Sequence, residues 1–200
     1  MQRKLLLNLI LVFGTISFPA SAIEINIDGK LDEEEWASAR QITKYYETMP
    51  FTLAEPSHSQ KVLILEDEKG IYFGFINIQK NETIRKQKHQ RDEEMANADM
   101  VGVSLDFDGD GLLSYGFTIS AGGSINDNVV RNENEMDYDW DADWKHGAHI
   151  EGDAWYAEMF IPWTIAPMKA QKGTKRKIKY SFYRWLRGDF IVYTTTKGNP

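Results

Sequence analysis

Two acidic clusters are the parts of this sequence best equipped for chemistry. Asp106-Phe107-Asp108-Gly109-Asp110-Gly111 has the D-x-D-x-D-G spacing that wraps three carboxylates and a sharp glycine turn around a calcium ion, which makes Asp106, Asp108 and Asp110 candidate ion ligands. An EF-hand is excluded, because the twelfth position is Phe117 rather than a bidentate Glu and a strand pattern follows. Asp and Gly also build plain hairpin loops, and a turn between Leu105 and Ser114 is the competing account.

The second cluster, Asp137-Tyr138-Asp139-Trp140-Asp141-Ala142-Asp143-Trp144, alternates carboxylates with aromatic rings. Carboxylates accept bonds from sugar hydroxyls and flat rings cover sugar C–H faces, so this pattern suits a carbohydrate platform; its aspartates could equally ligate calcium. The same residues could fold back as a loop whose rings cover a sheet edge. Tyr183, Arg184 and Trp185 place a cation beside two aromatics on a late strand, where they would bind a polar ligand or pack between sheets. Trp140, Trp144 and Trp185 are the candidate carbohydrate contacts.

Acid catalysis has one candidate in Glu158, set between Tyr156 and Phe160 on one strand face, where burial would raise its pKa. An outward-facing strand residue or a satisfied structural acceptor is the favoured account of it, and no catalytic residue is assigned. G-x-S-x-G, H-E-x-x-H and a phosphate loop are absent. His146 and His149 lie three apart in a strand and so face opposite ways, which prevents them from sharing a metal locally. Lys172, Lys175, Arg176, Lys177 and Lys179 form a basic run that reads as a solvated loop and strand start.

What positions these groups is a chain of short strands. Segments rich in β-branched and aromatic residues recur between Gly, Asp, Asn and Pro clusters, predicting ten strands: 42–46, 60–65, 71–78, 100–106, 114–120, 126–130, 146–151, 155–161, 177–186 and 190–195. That number of short strands implies an all-β antiparallel sandwich. The segment 71–78 is apolar on both faces and reads as a central strand, while 49–59 and 80–97 read as loops. Before the strands, Ile23 to Ala39 has the grammar of a strand, a turn and a short helix, with Asp32 as N-cap, Glu33 to Glu35 in the first turn and Trp36 in the core.

Residues 1–22 have the form of a signal peptide: Arg3 and Lys4, a short apolar run, then Ala20-Ser21-Ala22 as cleavage site. The apolar run is too short for a spanning helix, so the mature chain is expected to begin at Ile23 and to carry no transmembrane helix. The net charge is −7, and loss of Arg3 and Lys4 makes it −9, which argues against nucleic acid and anionic lipid as partners. With no cysteine, thiolate chemistry and iron–sulfur clusters are excluded. Gly198-Asn199-Pro200 is a turn signal, so a longer chain is expected to continue beyond it.

In order along the chain, IDGKLDEEEW, ADMVGVSLDFD and WDADWKHGAHIEGDAWYAEMFIPW resemble the family 9 carbohydrate-binding modules, in particular the domain that precedes a β-barrel in a group of bacterial outer-membrane proteins. The resemblance covers residues 23–196. It implies a jelly-roll or DOMON-like sandwich, calcium sites in some members and sugar recognition between tryptophans in others. The leading expectation is therefore a non-catalytic glycan-binding domain exported to the periplasm, outer membrane or surface of a Gram-negative cell. A structural domain packed on its own outer-membrane barrel is the alternative. A third reading borrows from related haem-binding domains, with Met95, Met100 or a histidine as axial ligand.

Overall fold

The computed structural model describes residues 23–93, 96–132, 135–170 and 176–197. Its strands are β1 (Arg40–Ile42), β2 (Tyr46–Met49), β3 (Gln60–Glu66), β4 (Gly70–Ile78), β5 (Met100–Asp106), β6 (Leu113–Ser120), β7 (Ile125–Arg131), β8 (Glu135–Asp137), β9 (Lys145–Glu151), β10 (Ala154–Pro162), β11 (Lys179–Leu186) and β12 (Ile191–Thr194). They form two antiparallel sheets, one ordered β1-β3-β4-β10-β9 and the other β2-β12-β11-β5-β6-β7-β8. The all-β antiparallel sandwich expected from the period-two pattern is the fold observed. Among the described residues no helix is long and apolar enough to cross a membrane.

The inner faces supply one core. Val62, Ile64, Phe73, Phe75, Trp155, Met159 and Ile161 from the five-stranded sheet meet Val101, Val103, Leu105, Phe117, Ile119 and Phe182 from the seven-stranded sheet. The Phe182 ring stands edge-on to Phe73 at 5.3 Å and to Phe75 at 6.0 Å, an arrangement worth about 0.5–1.5 kcal/mol per pair beyond burial. β4 is the central strand that its doubly apolar sequence predicts. The predicted strand 42–46 is in fact two: β1 belongs to one sheet and β2 to the other, and the chain crosses between them at Thr43–Tyr45 with the Tyr45 ring buried. Alternation alone does not reveal such a crossing, because both halves keep the same period.

The outward face of the five-stranded sheet is covered by the N-terminal segment. Ile23, Ile25, Ile27, Leu31 and Trp36 pack on Leu63, Tyr72, Ile76 and Phe160. A single carboxylate fastens this strap. Glu158, on β10 and 0 % exposed, accepts hydrogen bonds from the Asp28 N–H (2.9 Å), the Gly29 N–H (2.7 Å) and the Trp36 indole Nε1 (3.0 Å). Gly29 has a φ of +91°, and a Cβ there would come within 2.6 Å of the Ala148 backbone, so only glycine lets the strap lie this close to the sheet. Gly74 similarly leaves room for Leu31 and Trp36.

The short helix expected after the strap is a five-residue 3₁₀ helix, Glu34–Ser38. Asp32 is not its N-cap: Glu33 holds that position without a side-chain cap bond, and its Oε1 instead accepts the Asn26 N–H at 2.9 Å. The strap's anchorage overrides local capping here, since Trp36 must reach Glu158 and Leu31 takes a left-handed φ of 58° to allow it.

Replacing Glu158 by Ala leaves three N–H groups without an acceptor in a dry site, at about 1–3 kcal/mol each. Urea unfolding should show E158A losing several kcal/mol of stability. Burial outweighs the three hydrogen bonds and raises the Glu158 pKa above its ordinary value. A raised acid stabilises the folded state fully below its ordinary pKa and loses that contribution as pH rises through the folded value. The wild-type minus E158Q stability difference should therefore shrink from acid toward neutral pH, and a difference that grew would contradict this reading of the site.

Candidate functional site: a polar cleft at one end of the sandwich

A cleft of about 430 Å³ opens where the β4 end, the loop after it, the start of β5 and the β11–β12 turn converge; its lining includes His58, Gln79, Glu82, Arg85, Asp99 and Asp189. A second hollow, lined by Ser57, Ser59, Ile78 and Lys80 among others, adjoins it through His58, Gln79 and Thr83. Both are built on a buried charge network.

Arg184, on β11, points inward and is 0 % exposed. Its Nη1 donates to the Ser59 carbonyl (3.2 Å), and its Nη2 donates to the Ile78 carbonyl (3.4 Å) and Gln79 Oε1 (2.8 Å), so it ties the seven-stranded sheet to the end of the other. Burial lowers its pKa to about 10. The same Gln79 donates through Nε2 to Asp99 Oδ2 at 2.8 Å, which sets a neutral amide between cation and anion. Asp99 is 1 % exposed and also accepts the Arg85 N–H (3.0 Å) and the Arg187 N–H (2.8 Å). One carboxylate thus plants two arginines beside the cleft.

Those arginines have different settings. The Arg187 guanidinium stacks over the Trp185 ring at 4.6 Å and over Phe190 at 5.4 Å. Arg85 lies against the β11–β12 turn, where a Cβ on Gly188 would sit 3.3 Å from its Nε, and its guanidinium makes no hydrogen bond or ion pair among the described residues. His58 Nδ1 meets the Ser57 hydroxyl at 3.1 Å, and burial lowers its pKa. The Phe190 ring is exposed on the β11–β12 turn.

The tryptophans proposed as contacts do not form one platform. Trp144 is 6 % exposed, with its ring edge-on to Phe117 at 5.5 Å, and Trp140 packs on Tyr115 at 4.9 Å and Phe117 at 5.9 Å, on the core side of β6. Trp185 is partly exposed and lies on the opposite face of that sheet, against Ala96, Ala98 and Met100. None of the three lines the cleft; Trp185 is next in the chain to Leu186, which does, but its ring faces the other side of β11.

The D-x-D-x-D-G loop is held together by protein groups. Asp106 accepts N–H bonds from Asp108 (3.1 Å), Gly109 (2.7 Å) and Gly111 (2.7 Å). Lys169 Nζ reaches Asp110 at 2.7 Å, and Arg176 Nη1 reaches Asp108 at 3.1 Å. The three carboxylates do not converge, and with two cations already on them this arrangement fits a clasped turn rather than a calcium ion. Among the described residues the carboxylates that do converge are Asp92, Asp127 and Asp141. Arg91 serves them as counter-ion, bidentate to fully buried Asp127 (2.7 and 2.8 Å) and 2.8 Å from Asp141. Asp127 also accepts the Ala142 N–H at 2.7 Å, which pins the second acidic cluster over the sheet.

Glu158 is the strap's anchor and Arg184 an inter-sheet tie, the structural roles weighed against chemistry for both. His146 and His149 face opposite sides of β9 as their spacing requires. Met100 is buried beside Trp185, while Met95, Lys172, Lys175 and the signal peptide lie outside the described residues. The sequence assigns no role to the cleft's charged residues, because they come from segments far apart in the chain: Asp99 enters only through the ADMVGVSLDFD resemblance, and 80–97 reads as a loop whose density of charge is the available signal.

The backbone superposes on a solved carbohydrate-binding module of family 9 from Caldicellulosiruptor kristjanssonii in complex with glucose, with a TM-score of 0.59 at 9% identity over 86% of this chain and 80% of that one. A structure from the same organism and family, in complex with cellotriose, gives 0.56 at 14% identity over 86% and 78%. The fold is that of a family 9 carbohydrate-binding module. No protein-family model matches the sequence, and no curated protein matches it significantly. Against this family 9 fold, the cleft described above lies at one end of the sandwich and is fixed by Asp99.

Asp99→Ala removes the acceptor for three donors and strands the Arg184 charge, so unfolding measurements should show a loss of about 3–5 kcal/mol. In the milder Asp99→Asn variant, hydrogen exchange should accelerate at the Arg85 and Arg187 amides ahead of the β4 and β5 amides; uniform acceleration would mean that Asp99 does not organise the cleft locally.

Proposed function

We propose that this chain is a non-catalytic glycan-binding domain of an exported cell-envelope protein, with the end cleft as its sugar site. The observation that carries the reading is the cleft's inventory: Glu82 and Asp189 as acceptors, Arg85 as donor and His58 as either, with Phe190 exposed one residue beyond Asp189. Sugar hydroxyls are recognised by such bidentate charged groups, and C–H faces by rings. The family 9 fold, seen with glucose and cellotriose in the solved modules, supports the same reading. A non-catalytic role is in keeping with it, since Glu158, the one carboxylate proposed for acid catalysis, is committed to the strap. Export rests on the form of residues 1–22.

The first test is a titration of residues 23–200 with neutral and acidic oligosaccharides, followed by tryptophan fluorescence. A saturable change is expected for at least one glycan. Asp189→Ala, which removes a hydroxyl acceptor and, at an exposed turn, no buried contact, should weaken that binding about tenfold or more, the cost of a lost charge-assisted hydrogen bond. A folded protein that stays silent across the panel would overturn the reading.

A further inference from the structure

Beside the cleft, whose own lining sets Arg85 among Glu82, Asp99 and Asp189, runs a positively charged edge on an acidic molecule. The whole chain has a net charge of −7, yet the stretch from Lys80 to Gln90 carries Lys80, Arg85, Lys86 and Lys88 against Glu82 alone. Among the described residues the side chains of Arg85, Lys86 and Lys88 form no ion pair, whereas Arg91, next along the chain, is consumed by Asp127 and Asp141. A solvated charge run is the ordinary fate of such residues, but this one is not a loose loop.

Its backbone is fixed point by point. Ile84 is buried, the Arg85 N–H is held by Asp99, and Lys86 pairs with Ala98 as a β-bridge. The His89 N–H donates to the Ser124 hydroxyl at 3.0 Å, which in turn donates to the His89 carbonyl at 2.9 Å. Gly122 lies so close that a Cβ would meet the Lys86 carbonyl at 2.6 Å. Every one of these ties uses main chain, which leaves the Arg85, Lys86 and Lys88 side chains exposed on a rigid edge. Cations carried on a backbone already ordered, in a molecule of net negative charge, favour an anionic ligand along this edge.

Resting on the reading of the cleft as a sugar site, we propose that its ligand is an acidic glycan, a uronate-containing oligosaccharide whose carboxylate pairs with Arg85. A guanidinium offers two parallel N–H donors to a carboxylate, a geometry that a lysine cannot supply. Glu82 and Asp189 accept hydroxyls of the same sugar ring, and they keep small inorganic anions from competing well. Lys86 and Lys88 continue the positive edge beyond the cleft, toward the carboxylates of following units.

Trimers of galacturonate and of mannuronate, each alongside its methyl ester, separate charge from sugar shape, and cellotriose serves as the neutral comparison. Calorimetric titration of residues 23–200 should show an acid trimer binding about tenfold or more tighter than its own ester. In Arg85→Gln the acid-to-ester ratio should fall to about one, whatever the ester loses with the Arg85 donor. In the Lys86→Gln, Lys88→Gln double variant the acid's salt dependence should flatten while the ratio persists. Arg85 holds the fold through its main chain, so thermal unfolding of R85Q should match wild type.

Equal affinity for acid and ester, or an acid preference that survives R85Q, overturns the proposal and leaves the glycan reading standing. Cellotriose binding with both acids rejected overturns it in the same way. Binding of no sugar at all overturns both.

Discussion

A guanidinium buried between two sheets needs acceptors, and one end of this sandwich is organised around supplying them to the two terminal nitrogens of Arg184, while its Nε has no partner among the described residues. Three of its partners, Ser59, Ile78 and Gln79, belong to β3's approach or β4's exit, so the tie fixes how the two sheets meet. Its balancing charge, Asp99, is not in contact with it; Gln79 stands between, accepting from the cation and donating to the anion. That spacing leaves the remaining lone pairs of Asp99 for the main chain of Arg85 and Arg187. The cleft's position, its arginines and the setting of the β11–β12 turn all descend from a burial that would be costly if any member were missing.

The other acidic groups obey the same economy of donors and acceptors. Glu158 gathers three N–H groups from the strap, Asp106 gathers three from its own loop, and Asp127 collects the Arg91 guanidinium together with the Ala142 N–H that folds the second acidic cluster inward. In each case a carboxylate that resembles a reactive or metal-binding group is holding irregular backbone in place. A sandwich without cysteine has no disulfides to tether its long connections, and buried carboxylates do that work here.

The fold was legible because burial of one sheet face writes itself into alternating residues, and β4's double burial into an unbroken apolar run. The sheet crossing at Tyr45 and the strap's true geometry were not, since both are decided by partners more than a hundred residues away in the case of Glu158. The site was harder still. Trp140 and Trp144 carry the composition of a sugar platform, yet Phe117 and Tyr115 give them a better place in the core. The cleft draws on His58, on 79–85, on Asp99 and on 186–189, segments whose meeting no local spacing announces. Arg184, set between Tyr183 and Trp185 in the sequence, links what the sequence suggested to where the charged groups converge.

The strap also imposes an order of events. Its anchor lies 130 residues downstream of Asp28, and its apolar residues Ile23, Ile25 and Ile27 rest on a surface that does not exist until β10 has paired with β4. The strap is therefore synthesised well before the surface on which it docks, and until that surface forms its greasy side chains are without a home. Contacts of such long sequence separation are formed late because the intervening loop must close first. A chain built this way cannot finish folding while it emerges N-terminus first through a narrow passage; it completes itself only after the far end has arrived.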